Sequence, residues 1–420
     1  MKITFVSHAG FITEVGGKSI LTDPWTVGKA FNESWSLYAP AFEVDYQKID
    51  YLFISHEHPD HFSLPTLKSI SITERKRIKV LYQAHTSPRI PDKLTELGFG
   101  EIILLPLYCW TRIDSFECYC GSAGSMDSFL AIREGNQTIL NLNDCVFNQN
   151  QYAYIKRNIG NVDVLLTQFS FANWVGNELD EMGAAKQKVK NIFLQHDIFK
   201  PSRIIPFASF VYFCNNQNAR MNEWSNTPRR IAELPLKEIC FLYPGDELEV
   251  GSNPPKSNEA VEKYMRDLNL IKMDADSPSV AFDEVLTTIR SHLETFKSKI
   301  PLPLRIFIRP FSIYLTDLNT KLSIDPGKAV AQQIADPNYK CRYEMLSSVC
   351  HYTFSHSWGA GTLDVSGMFR DNLFPKKPGL YFFLQNMIST GFIRLNSFQD
   401  FLTTTKFIFS KRWEIFYRYF

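Results

Sequence analysis

The stretch of sequence that decides the fold is Phe53-Ile54-Ser55-His56-Glu57-His58-Pro59-Asp60-His61. It ends a mostly apolar run, residues 49–54, which predicts a buried strand. Two histidines two positions apart, at a strand-to-loop turn, can project towards one point, and Asp60 and His61 can reach a second point nearby. Neutral imidazole and carboxylate are ligands of zinc, iron and manganese. The stretch therefore favours a metal site over a solvated polar loop.

The bulk composition is that of a large globular protein. The 420 residues predict two or three domains, and an apolar content of 45% is ample for a core. The 45 basic and 44 acidic side chains nearly cancel, so no global field favours nucleic acid or an anionic membrane, and we expect no nucleic-acid partner. The expected partner is a small-molecule substrate. We expect no secretory signal and no transmembrane segment, since no apolar run approaches the roughly 20 residues of a span. The eight cysteines form no CxxC pair and predict free thiols in a cytoplasmic protein.

The spacing H-x-H-x-D-H resembles the signature of the metallo-β-lactamase superfamily, which His56, His58, Asp60 and His61 match. The resemblance implies an αβ/βα sandwich with a metal site at the strand ends. It also implies that the first two histidines hold one metal, and that Asp60 and His61 hold a second. The expected cofactors are one or two divalent ions, zinc first, with iron and manganese as alternatives.

Asp144 is the next candidate ligand. It follows the predicted strand 138–142, and a carboxylate at a strand end beside a metal site is well placed to bridge two ions. The superfamily has an aspartate at this position. The alternative is an Asx-turn residue that ends the strand. Asp144 and Asp60 are also the candidates to hold the nucleophile or to take its proton.

His8 and Asp23 are candidates to bind a metal or to orient the ligands, a task that residues outside the ligand set often perform. A histidine in the setting of His8 recurs in the branch of the superfamily that includes ascorbate-phosphate lactonases and N-acylphosphatidylethanolamine phospholipases. The alternative for both residues is an ordinary cap or core contact.

The sequence departs from the superfamily pattern at two positions, where a histidine ligand is usual and none occurs. The segment 120–127, where a third histidine of the first metal is usual, holds none, and Asp127 is the candidate substitute. The segment 206–209, Pro-Phe-Ala-Ser, stands where a late histidine of the second metal is usual, and His196 is the candidate there. The alternatives are a loop cap for Asp127 and a surface histidine for His196.

A closer resemblance is to the metallo-β-lactamase-type portion of CMP-N-acetylneuraminate hydroxylases, over roughly the first 250 residues. It is carried by the segments 23–25, 126–130, 139–145 and 206–208. The resemblance implies hydroxylation of the N-acetyl group of a nucleotide-linked sialic acid, with electrons passing through a Rieske domain. The Cys-x-His and Cys-x-x-His pairs of a Rieske cluster do not occur in the sequence, so an oxygenase would need a separate electron-transfer protein.

The expected fold is α/β: a metallo-β-lactamase-type αβ/βα sandwich over residues 1–250, then a smaller α+β C-terminal domain. Residues 251–300 form a linker, most clearly 251–258, and an amphipathic helix over 281–297. Residues 301–420 weakly resemble a sterol-carrier-protein domain.

Three functions fit the sequence. The leading hypothesis is a metal-dependent hydrolase that uses a metal-activated water on a phosphoester, amide or ester of a nucleotide-sugar-like or acylated sugar. The second is a non-haem iron oxygenase resembling the hydroxylases. The third is a non-catalytic binding protein whose metal site has degraded.

Overall fold

The computed structural model describes residues 1–389, apart from 85–86, 125, 177, 253–256, 301 and 375–378, and apart from the side chains of 178, 179 and 303. The chain forms two compact units. The first comprises residues 1–172, 177–214 and 221–272, and the second comprises 173–176, 215–220 and the chain from 273 onward.

The first unit is a mixed α/β unit. Its strands are β1 (Lys2–Ser7), β2 (Gly10–Val15), β3 (Lys18–Thr22), β4 (Trp35–Leu37), β5 (Tyr51–Ile54), β6 (Lys79–Gln83), β7 (Glu101–Leu105), β8 (Trp110–Ile113), β9 (Phe116–Ala123), β10 (Asp127–Glu134), β11 (Gln137–Asn141), β12 (Val164–Gln168), β13 (Arg203–Phe207), β14 (Val211–Phe213) and β15 (Glu247–Glu249). Its helices are α1 (Leu64–Ser69), α2 (Ile72–Arg77), α3 (Arg89–Glu96), α4 (Gln149–Ile159), α5 (Glu178–Phe199), α6 (Pro228–Ala232) and α7 (Ser257–Asn269).

Two large sheets organise this unit. In the described residues, one sheet has the order β15-β1-β2-β3-β5-β6-β7 and the other β13-β12-β11-β10-β9-β8. The first sheet is antiparallel up to β3 and parallel from β3 to β7. The second is antiparallel from β8 to β11 and parallel from β11 to β13. The strands β5 and β11 therefore both end within parallel segments.

The burial of strand β5 shows how the two sheets and the helices of the first unit are layered. All four of its residues are buried, which is typical of a strand covered on both faces. Tyr51 and Phe53 join a core with residues of the second sheet, such as Leu130. Leu52 and Ile54 join a separate core with the helices α1 and α3. On the other side, α4 and α5 pack on the second sheet. This is the predicted αβ/βα sandwich, and the prediction of the fold class is confirmed.

The second unit is the smaller α+β part that follows the sandwich. Its elements are β16 (Phe311–Leu315), β17 (Thr320–Asp325), β18 (Val330–Gln333), β19 (Tyr343–Met345), β20 (Arg370–Asp371), α8 (Phe282–Lys299), α9 (Leu302–Arg305), α10 (Ser347–Ser355), α11 (Gly359–Ser366) and α12 (Leu380–Ser389). The sheet order is β18-β17-β16-β19-β20. The helix α8 agrees with the helix predicted over 281–297, and its apolar stripe, Val285, Ile289, Leu293 and Phe296, is buried.

The units divide after Lys272, one helix later than the boundary predicted at residue 250. The helix α7 packs into the core of the first unit through Ala260, Val261 and Tyr264. Much of the predicted linker, residues 253–256, lies outside the described residues, and the proposed domain limits stay a prediction. No helix in the described part of the chain is long and apolar enough to cross a membrane.

Phe210 is the centre of an aromatic cluster in the first unit. Its ring stacks on Tyr264 at 4.2 Å and meets Phe169 edge-on at 5.2 Å. We expect Phe210→Ala to lower the free energy of unfolding by about 3–5 kcal/mol, because it leaves a cavity among rigid rings. Urea denaturation would measure the change. Phe42→Ala, at a ring that is 37% exposed, is the matched control and should cost about 1 kcal/mol or less.

Candidate metal centre

Ser55, the residue after β5, fixes the start of the histidine motif. Its backbone N–H and hydroxyl both donate to Asp23, at 2.8 and 2.6 Å. Its carbonyl accepts from the hydroxyl of Ser128 on the second sheet at 2.6 Å and from the amide of Gln83 at 3.2 Å. The turn that carries the histidines is thereby held to both sheets, at the carboxyl end of β5.

His56, His58 and Asp144 form the first of two ligand groups, whose potential ligand atoms all lie within 4.8 Å of one another. His56 Nε2 lies 2.9 Å from His58 Nδ1 and 3.9 Å from Asp144 Oδ2. Metal–nitrogen and metal–oxygen bonds of about 2.0–2.2 Å place ligand atoms of one ion about 3–4 Å apart. The three side chains therefore already have the spacing of a metal site.

His8, Asp60 and His61 form the second group, and all three are buried. Asp60 Oδ2 lies 3.2 Å from His8 Nε2 and 3.5 Å from His61 Nε2. Asp60 and His61 are together as the motif predicts. The structure places His8 with them, as a potential third ligand and not only as an orienting residue.

Asp144 lies between the two groups. Its Oδ2 faces His56, and its Oδ1 lies 3.3 Å from His61 Nε2. Asn143, just before it, has a positive φ of 47°, and its N–H donates to the side chain of Asn141 at 2.9 Å. This tight turn at the end of β11 aims the carboxylate at both groups, which is the geometry of a bridging ligand.

Asp23 orients His61. This fully buried carboxylate lies 2.8 Å from His61 Nδ1, so that Nε2 of the ring faces the second group. The residue has a positive φ of 36°, and its backbone N–H donates to the carbonyl of Phe53 at 3.0 Å. A carboxylate that holds the far nitrogen of a histidine fixes the ring and its tautomer for metal binding. This contact is compatible with the orienting role considered for Asp23, which stays a prediction.

Asp127, the first residue of β10, lies beside the first group. Its Oδ1 is 3.9 Å from His56 Nε2. Burial raises the pKa of Asp127 to about 6, and His58 opposes the shift. The carboxylate therefore stands where it can replace the missing third histidine of the first position.

The structure places His196 apart from both groups. On α5, its Nδ1 lies 3.4 Å from Asp197 and its Nε2 lies 3.5 Å from Glu238. At the segment without the late histidine, Ala208 has a positive φ of 49° and donates its N–H to the carbonyl of His8 at 2.7 Å. The hydrogen bond from Ala208 thus holds the backbone of His8, a member of the second group.

Lys188 is a residue that sequence reasoning missed. From α5 its amine donates to the side chain of Gln168, the last residue of β12. Burial lowers the pKa of Lys188, and the nearby carboxylates of Asp144 and Asp127 oppose this shift. A lysine in a helix rich in lysine carries no sequence signal, so only the fold reveals this cation beside the carboxylates.

The two central histidines have opposite electrostatic surroundings. Burial, together with His61 and His58, holds the pKa of His56 well below its usual value. Burial also acts to lower the pKa of His61, but the carboxylates of Asp144 and Asp60 outweigh it and hold that pKa well above the usual value. In turn, His61 overcomes the effect of burial and keeps the pKa values of Asp60 and Asp144 low. Positive charge is therefore stabilised between the two carboxylates.

Unsatisfied buried atoms show that this donor set fits a metal. Within the described part of the chain, His61 Nε2, Asp60 Oδ1 and Asp144 Oδ1 are buried without a hydrogen-bond partner. Most buried polar atoms in folded proteins have a partner, and leaving one unpaired costs about 1–3 kcal/mol. A divalent cation bound among these atoms would satisfy them, so the residues present fit the implied metal.

The family comparison agrees with this fold. Residues 2–170 match the model of the β-lactamase superfamily domain. This part of the chain, about 40% of its length, is similar to that superfamily domain.

The chain is also similar to cytidine monophosphate-N-acetylneuraminic acid hydroxylases. It is 29% identical to the Danio rerio enzyme over 271 residues, which are 57% of this chain and 43% of that protein. It is 30% identical to the Mus musculus enzyme over 154 residues, 34% of this chain and 26% of that protein. The chain thus spans less than half the length of either relative.

Solved structures that align with this chain include both hydroxylases and hydrolases. CmlA, a diiron β-hydroxylase from Streptomyces venezuelae, aligns over 49% of this chain and 44% of its own, with 18% identity and a TM-score of 0.36. An isothiocyanate hydrolase from Delia radicum gut bacteria aligns over 59% of this chain and 98% of its own, with 15% identity and a TM-score of 0.41. These TM-scores are too low to support an assignment of function.

Asp23→Asn tests the orientation of His61. We expect metal affinity at the second position to fall about 10–100-fold, because the amide cannot hold the imidazole Nδ1–H as an anion does. Isothermal titration calorimetry, with metal titrated into the metal-free protein, would measure the change in affinity. Asp45→Asn, at a surface cap, is the control. Equal affinities in wild type and D23N would contradict the proposed role.

Asp144 and Asp127 are expected to differ in their effect on metal content. Asp144→Ala should reduce both metals together, because its two oxygens face different groups. Asp127→Asn should reduce only the first, and His196→Ala neither. Elemental analysis of the purified variants would measure this. Loss of both metals in D127N, or retention of both in D144A, would show that the bridge is wrongly assigned.

Proposed function

We propose that the first unit is a two-metal enzyme of the non-haem iron type that hydroxylates a small molecule. The observation that carries the proposal is the composition of the two groups, each with two histidines and one carboxylate. This ligand set, with open positions for other ligands, is typical of non-haem iron oxygenases. Asp127, a carboxylate where the superfamily usually has a histidine, adds to the oxygen ligands that suit iron and manganese.

The residues of the chain have distinct tasks in this proposal. His56, His58 and Asp127 would hold the first ion, and His8, Asp60 and His61 the second. Asp144 would bridge the ions and reduce their mutual repulsion. When bound, iron would supply the activation of dioxygen.

Hydroxylation needs a partner that supplies electrons. One atom of dioxygen enters a C–H bond of the substrate and the other leaves as water, which consumes two electrons and two protons. A separate electron-transfer protein is the proposed source of the electrons. The similarity to the hydroxylases of Danio rerio and Mus musculus supports an acylated sugar or nucleotide sugar as substrate.

Hydrolysis is the second candidate, because zinc also accepts two histidines and a carboxylate with an open position. Bound zinc would lower the pKa of a water ligand towards neutrality. Asp60 and Asp144 each have one buried oxygen without a partner in the described chain. These oxygens are placed to orient a water molecule or to accept its proton.

An isotope experiment separates the two candidates. The full chain, loaded with ferrous iron or with zinc, would be incubated with an N-acylated nucleotide sugar and a reduced electron-transfer protein. We expect the iron form to consume dioxygen and to place labelled oxygen from dioxygen in the product, while the Asp144→Ala variant is inactive. Label entering only from water, with an active zinc form, would establish the hydrolase instead. Protein that binds neither metal would leave only a binding role.

A further inference from the structure

A segment of the second unit exposes large apolar side chains in close succession. Between α8 and β16, Leu302 is 62% exposed, Ile306 74% and Phe307 70%, and Leu304 is also exposed. Single exposed hydrophobic residues are normal on soluble proteins, but a contiguous exposed patch marks an interaction surface. We call residues 302–307, which comprise the short helix α9 and the two residues after it, the apolar loop.

The apolar loop is held at both ends by the core. Ile300 before it and Ile308 after it are buried among the apolar residues of the second unit. Gly327, in the turn between β17 and β18, lies against the loop, since a Cβ there would be 2.6 Å from the carbonyl oxygen of Arg305. The loop is therefore a supported projection, and its exposed side chains are not needed to fill the core.

The charge along the chain at the loop is one-sided, and the nearby Asp325 already pairs with Lys328 at 3.2 Å. Residues 297–316 contain four cations, Lys297, Lys299, Arg305 and Arg309, and no aspartate or glutamate, although the whole chain is nearly neutral. Lys297 pairs with the exposed Glu294 at 3.4 Å. In the part of the chain that the structure describes, neither Lys299 nor Arg309 forms an ion pair with a carboxylate. The loop thus has basic residues on both sides.

We propose that the apolar loop docks on an anionic lipid surface. The exposed leucine, isoleucine and phenylalanine side chains enter the boundary between headgroups and acyl chains, and the flanking cations contact the lipid phosphates. Apolar side chains bordered by lysine and arginine are the composition that interfacial segments use. Docking on a second copy of the chain is disfavoured, because self-pairing would bring the same cations face to face.

Vesicle sedimentation with the full chain tests this proposal. We expect binding to phosphatidylcholine vesicles that contain phosphatidylserine, weaker binding at high salt, and little binding to phosphatidylcholine alone. The double variant Ile306→Ser, Phe307→Ser should lower the binding constant about tenfold or more. Leu270→Ser is the matched control, since Leu270 is equally exposed, at 74%, but lies in the first unit.

Circular dichroism would establish that the variants fold, which the exposure of both replaced side chains leads us to expect. Metal content would be unchanged, so this test is independent of the proposed enzyme. Absence of binding by the wild-type chain, or equal loss in Leu270→Ser, would overturn the proposal. The double variant could also differ from the wild type in its sedimentation without vesicles while vesicle binding is unaffected. That result would overturn the proposal and identify a contact between copies of the chain.

Discussion

The buried carboxylate of Asp23 is the interaction on which the candidate site depends. It accepts hydrogen bonds from the N–H and the hydroxyl of Ser55, and it contacts His61 Nδ1. An ionised carboxylate is costly to bury unless its hydrogen bonds are satisfied. Burial does raise the pKa of Asp23, while His61 and Ser55 oppose this. The same contacts that stabilise the anion thus position the motif turn and the His61 ring of the candidate metal centre.

The sandwich brings the ligands together because strands from both sheets end at one edge. The motif follows β5 of the first sheet, and Asp144 follows β11 of the second. The hydroxyl of Ser128 bonds the carbonyl of Ser55 and so links β10 to the motif turn. Asp127, next to Ser128, reaches His56 from the same strand. A few buried hydrogen bonds therefore fix the distance between the two sheets at the candidate metal centre.

Local sequence was sufficient to nominate most of the candidate ligands, because they lie in one short motif or directly after an apolar strand. The spacing of His56, His58, Asp60 and His61 and the strand before Asp144 were sufficient for this. The grouping of His8 with Asp60 depends on a contact 52 positions apart in the chain, and Lys188 reaches Gln168 from a separate helix. No local pattern encodes such contacts. The packing of α7 into the core of the first unit is likewise a tertiary contact that no local pattern encodes.

The bond between Ala208 and the carbonyl of His8 has a consequence for how the molecule is made. It joins His8, the residue that follows β1, to a residue that a ribosome adds 200 positions later. Contacts between distant positions form late, because a long loop must close first. The side chains of His56, His58 and Asp144 all lie within the first 144 positions. During synthesis, these three side chains are therefore present before the partner of the His8 backbone, although β11, which precedes Asp144, still needs β12 beside it.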